Sequence, residues 1–392
     1  DAETEGYTGN NWSIQVAKRA LSDKVDLADG LNGEFNGIKA ITREEACLYA
    51  FNTLKAPMVE YANSNSVTVN GITFTNKSDA KEIKFSGKNE IIDDGLQNFC
   101  EKYFTKLDKK PTSDDFGRPA HEWKYDKKSI GTYADSAVLT YTDEVKANVM
   151  ADDAKDAGYD LPETVTGNTQ PTIALYVNGY KTKDITIKEM QDAIASKTAI
   201  GGKGIAIELY ADDNDVINRI VVIKTYIAKV DSIGKDKTST KAVDERSLTL
   251  SPVQLKDTSV ARYEDDTIGF DDVYSKVAKG DYVLYVPYGD SKTDKVVSIM
   301  IPETVEGALT YTSTSAVKVG GEKYSLAKVE KDRLNGKTYD LSSKTVNLYL
   351  DQYGYAIYSD AADSISDKAV AVLKAYKSLN DDGELVDMIK GV

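Results

Sequence analysis

Along residues 1–58 the apolar positions recur with the period of a helix. After Trp12, the residues Ile14, Ala17, Ala20 and Leu21 have the spacing of one buried helix face. A second amphipathic stretch runs from Thr42 to Leu54 and stops before Pro57. Thr42 reads as its N-cap and Glu45 as the partner of a capping box. Between the two, Gly30-Leu31-Asn32-Gly33-Glu34-Phe35-Asn36-Gly37 is rich enough in Gly and Asn to predict turns. Trp12, Leu21, Phe35, Tyr49 and Leu54 are the expected core of this helix–loop–helix unit.

Beyond Pro57 both periods occur. Val67 to Phe74 alternates about Asn70-Gly71, a strong hairpin signal. Leu96, Phe99, Cys100, Tyr103, Phe104 and Leu107 then predict a helix, Pro111 to Tyr133 reads as loop, and a weaker helix is expected over Thr142 to Ala157, ending at Gly158. From about residue 170 the chain becomes chiefly β. Ile173 to Tyr180 is an expected strand ending in Asn178-Gly179, and Thr186 with Glu189 opens a short helix.

A motif then recurs: an alternating strand with a Tyr near its end, an acidic turn, and a second alternating strand. The copies are Ile205 to Tyr226 turning at Asp212 to Asp215, Tyr282 to Ile301 turning at Gly289-Asp290, and Val346 to Tyr358 turning at Asp351 to Gly354. Their tyrosines, Tyr210, Tyr285 and Tyr349, lie 75 and 64 residues apart, which predicts repeated small β units. Val370 to Tyr376, turning at Asn380-Asp381-Asp382-Gly383 into Leu385 to Ile389, is an expected fourth hairpin, and its abrupt end leads us to expect a longer natural protein.

The expected fold class is therefore α+β and multidomain. A helical module covers 1–58, and a mixed α/β segment with the loop Phe116-Gly117-Arg118-Pro119-Ala120-His121-Glu122-Trp123-Lys124-Tyr125 covers 59–165. Residues 166–232 are a small α+β module with a hairpin, 233–305 a β module and 306–392 one or more β modules, barrel-like or sandwich-like.

Composition narrows the function. With 63 acidic against 49 basic residues the net charge is −14, which argues against a nucleic-acid partner and suits an extracellular or densely packed protein. No apolar run is long enough to insert in a membrane as a helix. Asp1-Ala2-Glu3-Thr4-Glu5 has no leader-like apolar core, so a processed or cut terminus is expected. Cys47 and Cys100 fall on predicted apolar helix faces and are expected as buried thiols, with a disulfide as the alternative. The 25 Tyr against 8 Phe fit half-exposed strand faces.

Catalytic signatures are weak. His121 is the sole histidine and has no nucleophile motif around it. Glu264, Asp265, Asp266, Asp271 and Asp272 could supply a carboxylate pair for glycoside hydrolysis, but 63 acids make such pairs common by chance. Asp212-Asp213-Asn214-Asp215 lacks the Gly and Glu of a calcium loop. No catalytic residue, metal or cofactor is expected.

Trp12, Ala17, Ala20, Gly30, Phe35 and the run Ile41-Thr42-Arg43-Glu44-Glu45-Ala46 together resemble an S-layer homology module, the wall-anchoring unit of bacterial surface proteins. The resemblance covers about the first 60 residues, and only one module is recognisable. In that family three modules combine, and grooves between them bind the acidic polysaccharide of the cell wall. The resemblance implies Arg43 as an anion contact, with Trp12, Thr42 and Glu45 shaping the site. A guanidinium at a helix N-terminus suits that task. Phe116 to Tyr125, with Ile130-Gly131-Thr132-Tyr133, resembles a segment following such modules in clostridial surface proteins. The expectation is a non-catalytic surface-layer protein outside the cell, at the wall, with cell-wall polysaccharide as partner once further modules are present, and possible self-association. A glycan- or host-binding adhesin is the alternative, and a carboxylate-dependent glycoside hydrolase a lesser one.

Overall fold

The computed structural model describes residues 5–31, 33–61, 66–70, 72–75, 80–88, 90–167, 169–234, 246–255, 261–263, 267–289, 295–341, 345–362, 372–379 and 385–391. Asn32, Gly71, Glu264, Asp265, Asp266, Asp290 and the turn Asn380 to Gly383 lie outside them. The described residues are mostly β, with seven helices and several small sheets. Two compact units are formed, residues 1–112 with 120–134, and residues 113–119 with 135–392.

The first unit opens with α1 (Trp12–Ala20) and α2 (Arg43–Lys55), as the helical periods predict. Its expected core does not form. No residue of α1 is buried, and Trp12, Leu21 and Phe35 are 54%, 38% and 36% exposed. Two short helices with so few large apolar side chains cannot enclose one another. The buried residue of α2 is Asn52, whose amide donates to the carbonyls of Leu27 and Asp29 at 2.9 Å each and so pins the connecting loop. Phe35 retains an edge contact on Tyr49.

The unit continues with β1 (Val59–Tyr61), β2 (Ser66–Val69), β3 (Ile72–Thr75), β4 (Ala80–Glu82), α3 (Phe99–Tyr103), β5 (Leu107–Ser113), β6 (Pro119–Tyr125) and β7 (Lys128–Ala134). β2 and β3 form the expected hairpin, and β1 pairs with β4. The helix predicted over Leu96 to Leu107 is only α3, because Leu107 opens β5 in the three-stranded sheet β5-β6-β7. That sheet replaces the loop expected over Pro111 to Tyr133. Its tight turn is Asp126-Lys127, both left-handed at φ 50° and 70°, a conformation more often carried by Asn-Gly. Ile91, Cys100, Leu107 and Trp123 make the core, with Leu54 and Ile92 against it and the Phe51 ring edge-on to Trp123 at 6.0 Å. Both cysteines are free, but only Cys100 is buried, since Cys47 projects from the solvent side of α2. Tyr125, at the end of β6, is 44% exposed.

The second unit holds three five-stranded sheets. The first contains β8 (Leu139–Tyr141), β10 (Thr172–Val177), β11 (Tyr180–Thr186), β13 (Ile205–Ala211) and β14 (Ile217–Lys224), with α4 (Ala147–Asp156) and α5 (Ile187–Ala195). A side ladder pairs β9 (Val145–Lys146) with β12 (Ala199–Ile200), so α4 starts at Ala147 rather than at Thr142. The second has β15 (Tyr226–Gly234), β16 (Ser247–Pro252), β17 (Ala261–Tyr263), α6 (Phe270–Tyr274), β18 (Tyr282–Pro287) and β19 (Val296–Met300). The third has β20 (Glu303–Thr312), β21 (Ala316–Val319), β22 (Glu322–Ser325), α7 (Lys328–Leu334), β23 (Thr345–Leu350) and β24 (Ala356–Ala361). The hairpin of β25 (Val372–Leu379) and β26 (Leu385–Gly391) follows, as expected.

These sheets repeat one plan of strand, hairpin, helix, hairpin. Their spatial orders are β11-β10-β14-β13-β8, β17-β16-β15-β18-β19 and β22-β21-β20-β23-β24. The later two are identical in topology. In the first sheet the earlier hairpin has moved to the opposite edge, where β10 runs parallel to β14. Each order is linear with two edge strands, so barrel closure is not seen among the described residues. Residues 232–233 lie inside β15 and 305–306 inside β20, long strands that serve both hairpins, so these sheets start at Tyr226 and Glu303.

A β-bulge sits at one place in all three final hairpins, between Tyr210 and Ala211, Val286 and Pro287, and Tyr349 and Leu350. Tyr210 and Tyr349 therefore correspond, but Tyr285 is displaced by one residue and faces the opposite side. It packs with Phe270 and Val273 of α6 in the core of its own sheet. The position it shares is that of Leu209 and Leu348, each in the core of its sheet. Leu348 and Tyr285 are at most 1% exposed, and burying a leucine such as Leu348 contributes about 1.5–3 kcal/mol.

Candidate functional site

The residues singled out by the surface-protein resemblance lie on the first two helices. Thr42 caps α2 as expected: its hydroxyl accepts from the Glu45 N–H at 3.1 Å, and Glu45 returns a carboxylate to the Thr42 N–H at 2.7 Å. That backbone bond, with help from Lys39 at 3.8 Å, holds the Glu45 carboxyl below its usual range. Arg43 is the first residue of the helix, exposed, and makes no ion pair among the described residues. Trp12 sits on α1, and no hydrogen bond or ring contact joins it to Arg43. The guanidinium is thus presented to solvent beside a helix N-terminus, available to an anion.

Two of the buried carboxylates of the second unit, Glu208 and Glu330, are fully committed to internal partners. Glu208 is 8% exposed and receives both arms of Arg118 at 2.7 Å plus the Tyr210 hydroxyl at 2.8 Å. Burial would lower the Arg118 pKa, but the bond and charge of Glu208 outweigh it and raise the value. Glu330 is fully buried and bound by Arg333 at 2.7 Å through two nitrogens, by Gln254 at 3.2 Å and by the Tyr339 hydroxyl. Gln254 also donates to the Ile357 carbonyl at 2.8 Å, which ties the second sheet to the third. The first and second sheets are tied through Asn178, whose side chain accepts from Lys224 N at 2.7 Å and donates to the Gly289 carbonyl at 3.2 Å. Asp212 accepts from the N–H groups of Asn214 and Val216, so the half calcium loop closes on itself. His121 lies within β6 opposite Tyr133, in a strand rather than the expected loop.

A cleft lies where the second and third sheets meet. Its volume is about 570 Å³, and Lys229, Lys279, Asp281, Tyr282, Asn347 and Tyr349 are among its lining residues. The alternation of β15 puts Ala228 and Val230 in the core and Lys229 out at the cleft. Tyr282, Tyr349 and Tyr358 form an aromatic cluster, with centroids 4.8, 5.1 and 6.1 Å apart. The Lys229 ammonium stands 5.7 Å over the Tyr282 ring. The Tyr282 hydroxyl donates to Asp360 at 3.1 Å, and burial, then the Tyr358 hydroxyl and the Asp360 charge, push its pKa far up, so it remains neutral.

This cleft was not foreseen. Its one sequence signal, alternating strands with tyrosines, points to sheet faces but not to which faces meet. Comparison with family models, with curated proteins and with solved structures finds no match to this chain.

Proposed function

We propose that this protein is a non-catalytic structural component of a bacterial cell surface, held at the wall through the helical module and extended outward by its β modules. The observation that carries this reading is serial repetition. Three five-stranded sheets follow one another with a shared plan, and successive sheets are joined by apolar patches, Tyr210, Val221, Val286 and Val297 at one junction and Ile227, Leu284, Ala327 and Ile357 at the next. Repeated modules suit a stalk or coat, and here the first and third sheets also touch, the Lys328 N–H donating to the Lys203 carbonyl at 2.8 Å. The polar ties through Asn178 and Gln254 add fixed orientation at each junction. The acidic surface suits dense packing outside a cell. Arg43, exposed at the start of a capped helix, is the residue we assign to the anionic wall polymer, acting once partner modules complete the groove.

Cell fractionation tests the proposal. The native protein should sediment with purified walls and be released by mild denaturant. Recovery in the soluble cell contents would overturn it.

A further inference from the structure

We propose that the cleft between the second and third sheets binds an acidic oligosaccharide, with sugar rings against the tyrosines and a carboxylate held by Lys229 and Lys279. This goes beyond the scaffold reading and stands without it, since it concerns a different part of the chain from Arg43.

Three lysines, Lys229, Lys276 and Lys279, line the cleft against two carboxylates, Asp281 and Asp360. Asp360 is occupied by the Tyr282 hydroxyl, and Asp281 accepts the Ala278 N–H at 2.7 Å. Lys276 pairs with Asp272 at 3.7 Å. Lys229 and Lys279 have no carboxylate partner among the described residues, although the protein as a whole is acidic. Ammonium groups with no salt-bridge partner, one of them 5.7 Å over the Tyr282 ring, attract an anion that also carries apolar C–H faces. A pyranose with a carboxylate has both features.

Size and polarity agree. About 570 Å³ falls in the range of small-ligand clefts, about 300–1,000 Å³, and leaves room for a short oligosaccharide. The Asn347 side chain lines the wall and has no internal partner among the described residues, so it can serve sugar hydroxyls. A long polyanion is disfavoured by the net charge of −14, whereas a short acidic chain meets mainly the local cations.

The test is calorimetric titration of the full chain with tetragalacturonate, with the uncharged galactose tetrasaccharide and with inorganic phosphate. Saturable binding of the uronate is expected, weakened as salt rises. The exposed pair Lys229→Ala/Lys279→Ala should weaken it by roughly tenfold with unchanged melting temperature. Equal affinity for the neutral sugar, displacement by equimolar phosphate, unaltered binding by the double variant, or no binding at all would each overturn the proposal.

Discussion

Removing Arg333 should expose how the second and third sheets are held together. Glu330 is 0% exposed and receives two 2.7 Å bonds from Arg333. In Arg333→Ala the Tyr339 hydroxyl and the Gln254 amide remain, but neither carries a charge to offset the carboxylate. Breaking a buried pair from one side costs about 3–5 kcal/mol, because the surviving charge stays desolvated. Replacing both members with apolar residues, Glu330→Leu with Arg333→Met, removes that charge and should recover most of the loss. Glu330→Leu, Arg333→Met and the double variant therefore form a cycle with a strongly favourable coupling between the wild-type partners. Urea unfolding followed by circular dichroism reads the effect. Both tryptophans, Trp12 and Trp123, belong to the first unit, so their fluorescence transition is an internal control that should not move. A loss under about 1 kcal/mol in Arg333→Ala, or a double variant no better than the single, would refute the buried-charge argument.

Two further outcomes follow from individual side chains. Burial raises the Asp351 carboxyl to about 6 against its ordinary 3.8, only partly offset by the Tyr355 and Tyr353 N–H groups, and its second oxygen has no partner. A raised acid pKa favours the protonated folded state, so stability falls as pH rises from about 3.8 to about 6 and stays lower by on the order of 3 kcal/mol above that. Asp351→Asn should remove this slope relative to wild type in paired pH–urea titrations, and an identical slope in the variant would rule the assignment out. At the other end of the chain, Thr42→Ala should cost about 0.5–2 kcal/mol by leaving α2 uncapped, read as a lower Trp-fluorescence midpoint, and an unchanged midpoint would mean the capping box does not stabilise the first unit.

Much of the architecture was legible where a local rule had no competitor. Thr42 with Glu45 and Thr186 with Glu189 formed their capping boxes, because those bonds join residues three apart. The hairpins about Asp212 to Asp215 and Asp351 to Gly354 formed because the turns bond to themselves. What failed was decided at long range. Nothing near Trp12 announces that it stays exposed while Trp123 is buried by Phe51, many residues upstream. The Leu96 to Leu107 period was genuine, yet pairing with β6 claimed Leu107 for a strand. Asp126-Lys127 hid a tight turn behind residue types that rarely adopt it. The cleft depends on two sheet faces meeting, which no single segment encodes.

The tyrosine repeat shows how a correct period can carry a wrong anchor. Tyr210, Tyr285 and Tyr349 suggested matched hairpins, and matched hairpins are there, but the repeated feature is the bulge rather than the ring. A strand side chain is assigned to a face by its parity relative to that bulge. Tyr210 and Tyr349 share its parity and lie toward the junctions with the second sheet, whereas Tyr285 falls one residue short and becomes core. The second sheet is thereby free to place Val286 at its junction with the first, and Leu284 at its junction with the third. Tyr282, of the same parity, joins Tyr349 and Tyr358 of the third sheet at the second of these junctions. One middle sheet thereby accepts two neighbours on the same face, and those neighbours touch each other where the Lys328 N–H donates to the Lys203 carbonyl at 2.8 Å.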